Sequence, residues 1–259
     1  KMKLNKIKKS RTAVILCGGK GTRLGSITKK IPKSLVKIKN KPIIWYILKV
    51  LKKNGFTEFI LPTGYKGNLI KKYLKTKDFN NYNLKIIPTG DNTPIAKRIL
   101  KIKRHIESEN FLLLNGDAIF DLDLNKTYKE HIKNKKTAIT FLGSETNLPY
   151  GTILLSKGLV KNFARDVMFN AVKISNKNDN IAHVYSGMAI MNKKILTKAV
   201  NNYENFEVNL YPRIIRRYKC KFQKFSGFWH SIDNVKDIKV LNNDKEKKRK
   251  INHLLKKLK

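Results

Sequence analysis

The strongest constraint on this chain is an apolar run at 12–17 (Thr-Ala-Val-Ile-Leu-Cys) that passes without a spacer into Gly18-Gly19-Lys20-Gly21. A continuous apolar run of strand length is how a strand buried on both faces reads. Glycines at its end free the backbone for positive φ and for close approach to a ligand. Pro42 then opens a helical pattern with Ile43, Ile44, Ile47, Leu48 and Leu51 on one face and Asn54-Gly55 as its stop. Further strands are predicted at 59–61, 84–87, 111–114 and 137–141, and helices at 68–74, 93–106 and 126–134. Strand and helix thus alternate over 11–142, and crossovers of this length predict a parallel sheet with helices on both faces.

Beyond 143 the pattern changes to short β-like runs at 151–155, 171–174 and 183–191. A helix follows at 210–218, then a strand at 221–225, a loop carrying Phe228-Trp229-His230, and a final helix from about Asn234 that is very basic after Lys245. The expected fold is α/β. It has a doubly wound, mostly parallel, Rossmann-like sheet and a smaller mixed-β substrate half. The segments read as a basic lead-in (1–10), a nucleotide-binding half (11–142), a substrate and metal half of the same compact domain (143–242), and a basic C-terminal helix (243–259).

Composition narrows the class. The 259 residues are 41% hydrophobic, enough for a proper core, and no run is long enough for a membrane span. The lysine-rich start leads into an apolar run too short for a secretory signal, so no signal peptide is predicted. Two cysteines, Cys17 and Cys220, make neither a disulfide framework nor a metal-ligand spacing. Cys17 reads as a small core residue, and the expected location is the cytoplasm. The formal net charge of +39 invites a nucleic-acid reading. Its lysines are instead spread along the chain, and no nucleic-acid module is recognisable. The favoured reading is a lysine-heavy solvated surface whose field draws in polyanions such as a triphosphate.

The loop Gly18-Gly19-Lys20-Gly21-Thr22-Arg23-Leu24 offers backbone N–H groups as an anion cradle and a guanidinium fork suited to phosphate. It is neither a P-loop nor a dinucleotide fingerprint. Pro32-Lys33-Ser34-Leu35 lies shortly downstream. Together these blocks resemble the signature of the sugar-phosphate nucleotidyltransferases. The segments Gly64-Tyr65-Lys66-Gly67 and Thr89-Gly90-Asp91-Asn92-Thr93 resemble the glucose-1-phosphate cytidylyltransferase branch.

The resemblance implies that Leu16, Cys17, Gly18, Gly19, Gly21, Thr22, Arg23 and Lys33 surround the nucleotide, with Gly64, Thr93, Arg98 and Gly116 nearby. It implies that Arg23, Lys33 and Asp117 carry catalysis. It also implies that Asp117, at the end of the fourth strand, holds Mg²⁺ with Asp233 of Phe228-Trp229-His230-Ser231-Ile232-Asp233. Asp121, Asp123 and Asp237 are read as surface carboxylates or helix caps, and His230 as a packing or hydrogen-bonding residue. Tyr185, Ser186 and Gly187 stand where the family keeps a sugar-binding segment.

Three departures are visible. The stretch 73–88 is short, Ala96-Lys97 replaces glycines, and Phe163-Ala164-Arg165-Asp166 lacks the family's Glu-Lys pair, leaving Arg165 as the substitute cation. The implied reaction joins a nucleoside triphosphate, CTP foremost, to a sugar 1-phosphate. Another base, a non-sugar phosphate or a non-catalytic sensor remain the alternatives, and an oligomer is not readable.

Overall fold

Strand β1 (Thr12–Leu16) sits inside the sheet because both of its faces are apolar. Ala13 and Ile15 enter the core on one side, and Val14 enters the core on the other. The computed structural model describes residues 10–258 apart from 145, 148–151, 157–158, 165–167, 170–171, 174–180 and 199–204. The expected lead-in (1–9 of it) and Arg165 therefore lie outside the described residues, as do parts of the runs at 151–155 and 171–174.

Helix α1 (Ile43–Lys53) follows Pro42 and stops at Asn54, with Gly55 at φ +82°. It was expected to bury one face. It buries nearly its whole circumference, including Trp45 and Tyr46, because the sheet lies on one side and later elements cover the other. Next come β2 (Glu58–Thr63), α2 (Gly67–Leu74), β3 (Asn83–Pro88) and α3 (Ile95–Ile102). Helix α3 starts two residues later than predicted, because Pro94 lacks an N–H and stands at the N-cap with extended backbone. It ends early, with 103–105 tightening into a 3₁₀ turn. Strand β4 (Asn110–Asn115), strand β5 (Ala118–Asp121), helix α4 (Leu124–Lys133) and strand β6 (Ile139–Ser144) complete this stretch.

The main sheet gains three further members: β6, β7 (Val184–Asn192) and, after helix α5 (Tyr211–Arg217), β8 (Cys220–Lys224). Its order is β8-β6-β7-β4-β1-β2-β3. Strands β3, β2, β1 and β4 run parallel, β7 is antiparallel to both β4 and β6, and β8 is parallel to β6. The mostly parallel, mixed-edged α/β sheet is the expected one, and it runs on through the boundary read near 142.

Two expectations near the C-terminus are corrected. Phe228–Ser231 is not a loop but strand β9, paired antiparallel with β5 in a separate ribbon (Ser231 opposite Ala118). The terminal segment is two helices: α6 (Val235–Asn243), begun by an Asn234–Asp237 capping box, and α7 (Lys245–Leu258). Asp244 separates them with extended backbone (ψ 130°) and caps α7 by accepting from the Lys247 N–H. Ile251, Leu254 and Leu258 of α7 are buried in the same core as α1.

Candidate functional site

The loops after β1, β2, β3 and β4 all lie at the carboxyl edge of the parallel strands, where an open α/β sheet presents its ligand crevice. A cleft of about 510 Å³ opens there, within the usual range for small-molecule sites.

The glycine loop is shaped by its own backbone. Gly21 holds φ +62° against Lys33 and Thr28, and the Thr28 hydroxyl donates to the carbonyls of Gly21 and Gly25 at 3.0 and 3.2 Å. A Cβ at Gly19 would meet nothing within 4 Å, so the space above it is open to a ligand. Leu16, Cys17, Gly18, Gly19, Gly21, Thr22 and Arg23 all line the cleft. Burial pushes the Cys17 thiol up to about 12, and the charge of Asp117 adds to the shift. Cys17 is therefore a neutral wall residue and not a nucleophile.

Lys33 begins a short turn after Pro32, and its ammonium donates to Asp117 Oδ2 at 2.8 Å and to Asp233 Oδ1 at 3.3 Å. Arg23 Nη1 lies 3.5 Å from the same Asp233 oxygen. The Lys33–Asp117 pair is partly enclosed (side chains 18% and 27% exposed), whereas Arg23 is 78% exposed. The exposed Arg23 contact stabilises little and leaves its guanidinium free to meet incoming phosphate.

Asp117 and Asp233, far apart in sequence, are brought together by β9. The Ile232 N–H donates to the Asp117 carbonyl at 2.9 Å, next to the Ser231–Ala118 register. Gly116 lets this turn close: its N–H donates to the Leu16 carbonyl, and a Cβ would sit 2.7 Å from that oxygen. Burial raises the Asp233 carboxyl, but the Ser231 hydroxyl, Lys33 and Arg23 outweigh it and hold the group below its ordinary value.

Asp123 caps α4, Asp237 caps α6, and Asp121 pairs with Lys257. His230 is half-buried with no hydrogen-bond partner on Nε2 among the described residues. Burial, followed by Lys247, lowers its pKa.

Thr93 and Arg98 also line the cleft, while Gly64 stands behind the Arg98 side chain. Tyr185 and Ser186 are not among the residues lining this cleft. The Tyr185 hydroxyl meets that of Tyr211 at 3.1 Å, and the Ser186 hydroxyl donates to the Leu142 carbonyl. The pairing of β7 with β6 shifts register between Tyr185 and Met188. Gly187 (φ +75°) sits in that bulge against Asn115, a cleft residue. Ser34, Asn115, Asp91, Pro94 and Ile95 line the cleft as well. Ser34 and Asp91 stand inside motifs named above and Asn115 stands two residues before Asp117, but nothing in their spacing marks which way they point.

Among the described residues no group of three or more His, Cys, Asp or Glu side chains gathers into a metal cage. The two carboxylates nevertheless fit Mg²⁺. Both are hard oxygen donors already sharing one cation, the Lys33 ammonium. Mg²⁺ keeps several waters and phosphate oxygens, so two protein ligands suffice.

An open α/β sheet with a cationic glycine loop and paired carboxylates at its carboxyl edge defines a class: proteins that bind a nucleotide through its phosphates. The nucleotidyl transferase family model matches residues 12–247. The chain belongs to this family of nucleotide-transferring enzymes. It is 31% identical over 253 residues to the probable glucose-1-phosphate cytidylyltransferase of Bacillus subtilis (strain 168), covering 89% of this chain and 94% of the relative. It is 43% identical over 114 residues to the D-glycero-alpha-D-manno-heptose 1-phosphate guanylyltransferase of Campylobacter jejuni, covering 44% and 51%. The fold matches the crystal structure of HddC from Yersinia pseudotuberculosis with TM-score 0.66 at 24% identity, over 88% of this chain and 96% of that one. Among the described residues no helix is long and apolar enough to cross a membrane.

Proposed function

We propose that the chain transfers the nucleotidyl group of a nucleoside triphosphate, CTP foremost, to a sugar 1-phosphate, releasing pyrophosphate and forming a nucleoside-diphosphate sugar. The observation that carries this reading is the Lys33 ammonium between Asp117 and Asp233 beside the glycine loop. That constellation suits a reaction between two anions. A phosphate oxygen of the acceptor attacks the α-phosphorus in line, the bond to the β-phosphate oxygen breaks, and pyrophosphate leaves. No protein nucleophile is needed, and the high Cys17 pKa agrees.

Arg23 and the loop N–H groups hold the triphosphate, and Lys33 offsets charge at the reacting phosphate. Asp117 and Asp233 would hold Mg²⁺, which when bound supplies the divalent charge that draws the phosphate oxygens together. Fixed positions and fixed charges carry the rate.

The cytidylyl assignment rests on likeness to the Bacillus subtilis relative over most of both chains. The shorter, more identical match to a heptose 1-phosphate guanylyltransferase favours GTP and a heptose 1-phosphate as the second reading. A pyrophosphate-release screen of CTP, UTP, dTTP, GTP and ATP against hexose and heptose 1-phosphates decides. CTP with a hexose 1-phosphate should give the highest kcat/KM. Preference for GTP moves the assignment to the second reading, and silence of every pair with Mg²⁺ present would remove transfer altogether.

A further inference from the structure

The Arg98 side chain reaches from α3 beneath the cleft and is only 4% exposed. Nη1 donates to the Thr63 carbonyl at 3.2 Å and to the Thr89 hydroxyl at 2.5 Å. Nη2 donates to the carbonyls of Gly18 and Asp91, each at 3.0 Å. These acceptors sit at or just beyond the carboxyl ends of three strands, β1, β2 and β3. Each terminal nitrogen of a guanidinium carries two hydrogens. Both are committed, so only Nε–H remains.

Two motif glycines answer to this side chain. A Cβ on Gly18 would fall 2.2 Å from Arg98 Nη1 and 2.3 Å from Cζ. A Cβ on Gly64 would fall 2.6 Å from Nη1 and 2.7 Å from the Gly18 carbonyl oxygen. Neither glycine has positive φ. At Gly18 the guanidinium itself excludes a side chain; at Gly64 the guanidinium and the Gly18 carbonyl oxygen do so together. Gly19, next in the loop, is free of such a neighbour.

We propose that Arg98 is a positioning residue: it bolts the three loops into one rigid wall and so sets the geometry of nucleotide binding without reading the base. This rests on the nucleotidyl-transfer reading. The planar fork is essential. A lysine ammonium is a single point with three donors and cannot span four acceptors on three loops. Loops held in one relative position present the α-phosphate to the acceptor without reordering at each turnover.

The test compares wild type, Arg98→Lys, Gly18→Ala, Arg98→Ala and the Arg98→Ala/Gly18→Ala pair. Pyrophosphate-release kinetics, nucleotide titration calorimetry and melting temperature are measured with CTP, UTP, dTTP and GTP. Arg98→Lys and Gly18→Ala should each lower kcat/KM on the order of 100-fold, the scale of a misplaced reacting group. The factor should be equal for every nucleotide that wild type accepts, with the order of preference unchanged. Adding Gly18→Ala to Arg98→Ala should lose no more than about threefold further, because the methyl group enters space the guanidinium has left.

Loss confined to one nucleobase would show direct base reading and overturn the proposal. So would a lowered melting temperature with unchanged kcat/KM, or fully multiplicative losses in the pair. If Arg98→Lys does not fold, Gly18→Ala displaces the guanidinium without removing it and carries the same comparison. A wild type that binds nucleotide but releases no pyrophosphate defeats the transfer reading alone, and equal weakening of binding across nucleotides still decides the role of Arg98.

Discussion

Lys33 neutralises two acidic side chains that would otherwise repel each other across the cleft. The same two carboxylates would hold the divalent cation, so lysine and metal compete for them. Lys33→Ala should therefore tighten Mn²⁺ binding in the nucleotide-free protein, read by titration calorimetry, while lowering turnover. Unchanged or weaker metal binding would contradict the shared-ligand arrangement. Asp117→Asn and Lys33→Ala should keep the circular dichroism of the fold and lose at least about 100-fold in kcat, the scale for removing one preorganised charge contact.

His131 concerns stability alone. It is 3% exposed, with Nδ1 at 2.8 Å from the Thr140 hydroxyl and Nε2 at 3.2 Å from Asn110 Oδ1. Burial, helped by Lys221, pushes its pKa down to about 4. Above its unfolded value, about 6.5, both states are neutral and the stability is whole. Between there and about 4 the unfolded chain takes a proton that the native chain refuses, so stability falls as the pH falls, by up to roughly 3 kcal/mol. Urea unfolding at pH 7 and pH 5 should show a smaller acid loss in His131→Gln than in wild type. Equal losses would remove His131 as the cause.

Among the elements, helix α7 docks through Ile251, Leu254 and Leu258. Leu254→Ala should cost about 3 kcal/mol in urea unfolding, the middle of the range for emptying a buried leucine site. The kcat should stay near wild type, since Leu254 does not line the cleft; a loss of kcat at full folding would tie α7 to the site. The elements most legible in the sequence are those whose pattern is local. The β1 run, its glycine loop and the Pro42-led helix each carry their signal within a few residues.

Strand β9 was not legible in this way. Phe228-Trp229-His230-Ser231 reads as an aromatic loop, and only its pairing with β5, more than a hundred positions earlier, makes it a strand. That pairing also carries Asp233 to Asp117, so the pairing of the carboxylates came from a motif and not from periodicity. Arg98 shows the same boundary: its position was readable, but its acceptor at Gly18 lies 80 positions away. The register shift between Tyr185 and Met188 is likewise set by pairing with β6 and not by residue spacing.

For the whole molecule, the formal net charge is +39 and the proposed substrates are anions. Raising ionic strength from about 0.01 M to 0.15 M shortens the Debye length from roughly 30 to 8 Å. The kcat/KM for nucleotide should fall steadily across that range, because long-range attraction is screened. A flat profile would confine the useful charge to Arg23, Lys33 and the loop. The same field does not distinguish one nucleotide from another, so selectivity must come from the cleft wall. Nucleotidyl transfer at this cleft requires convergence: two carboxylates, one lysine and one arginine acting on a single cation and a single polyphosphate. Crystals grown with Mn²⁺ and a non-hydrolysable analogue of the preferred nucleotide test this by anomalous scattering. The predicted result is one manganese peak within coordination distance of both Asp117 and Asp233, with Lys33 moved off them onto phosphate. A peak bound elsewhere, or a nucleotide seated away from Arg23 and Lys33, would contradict it.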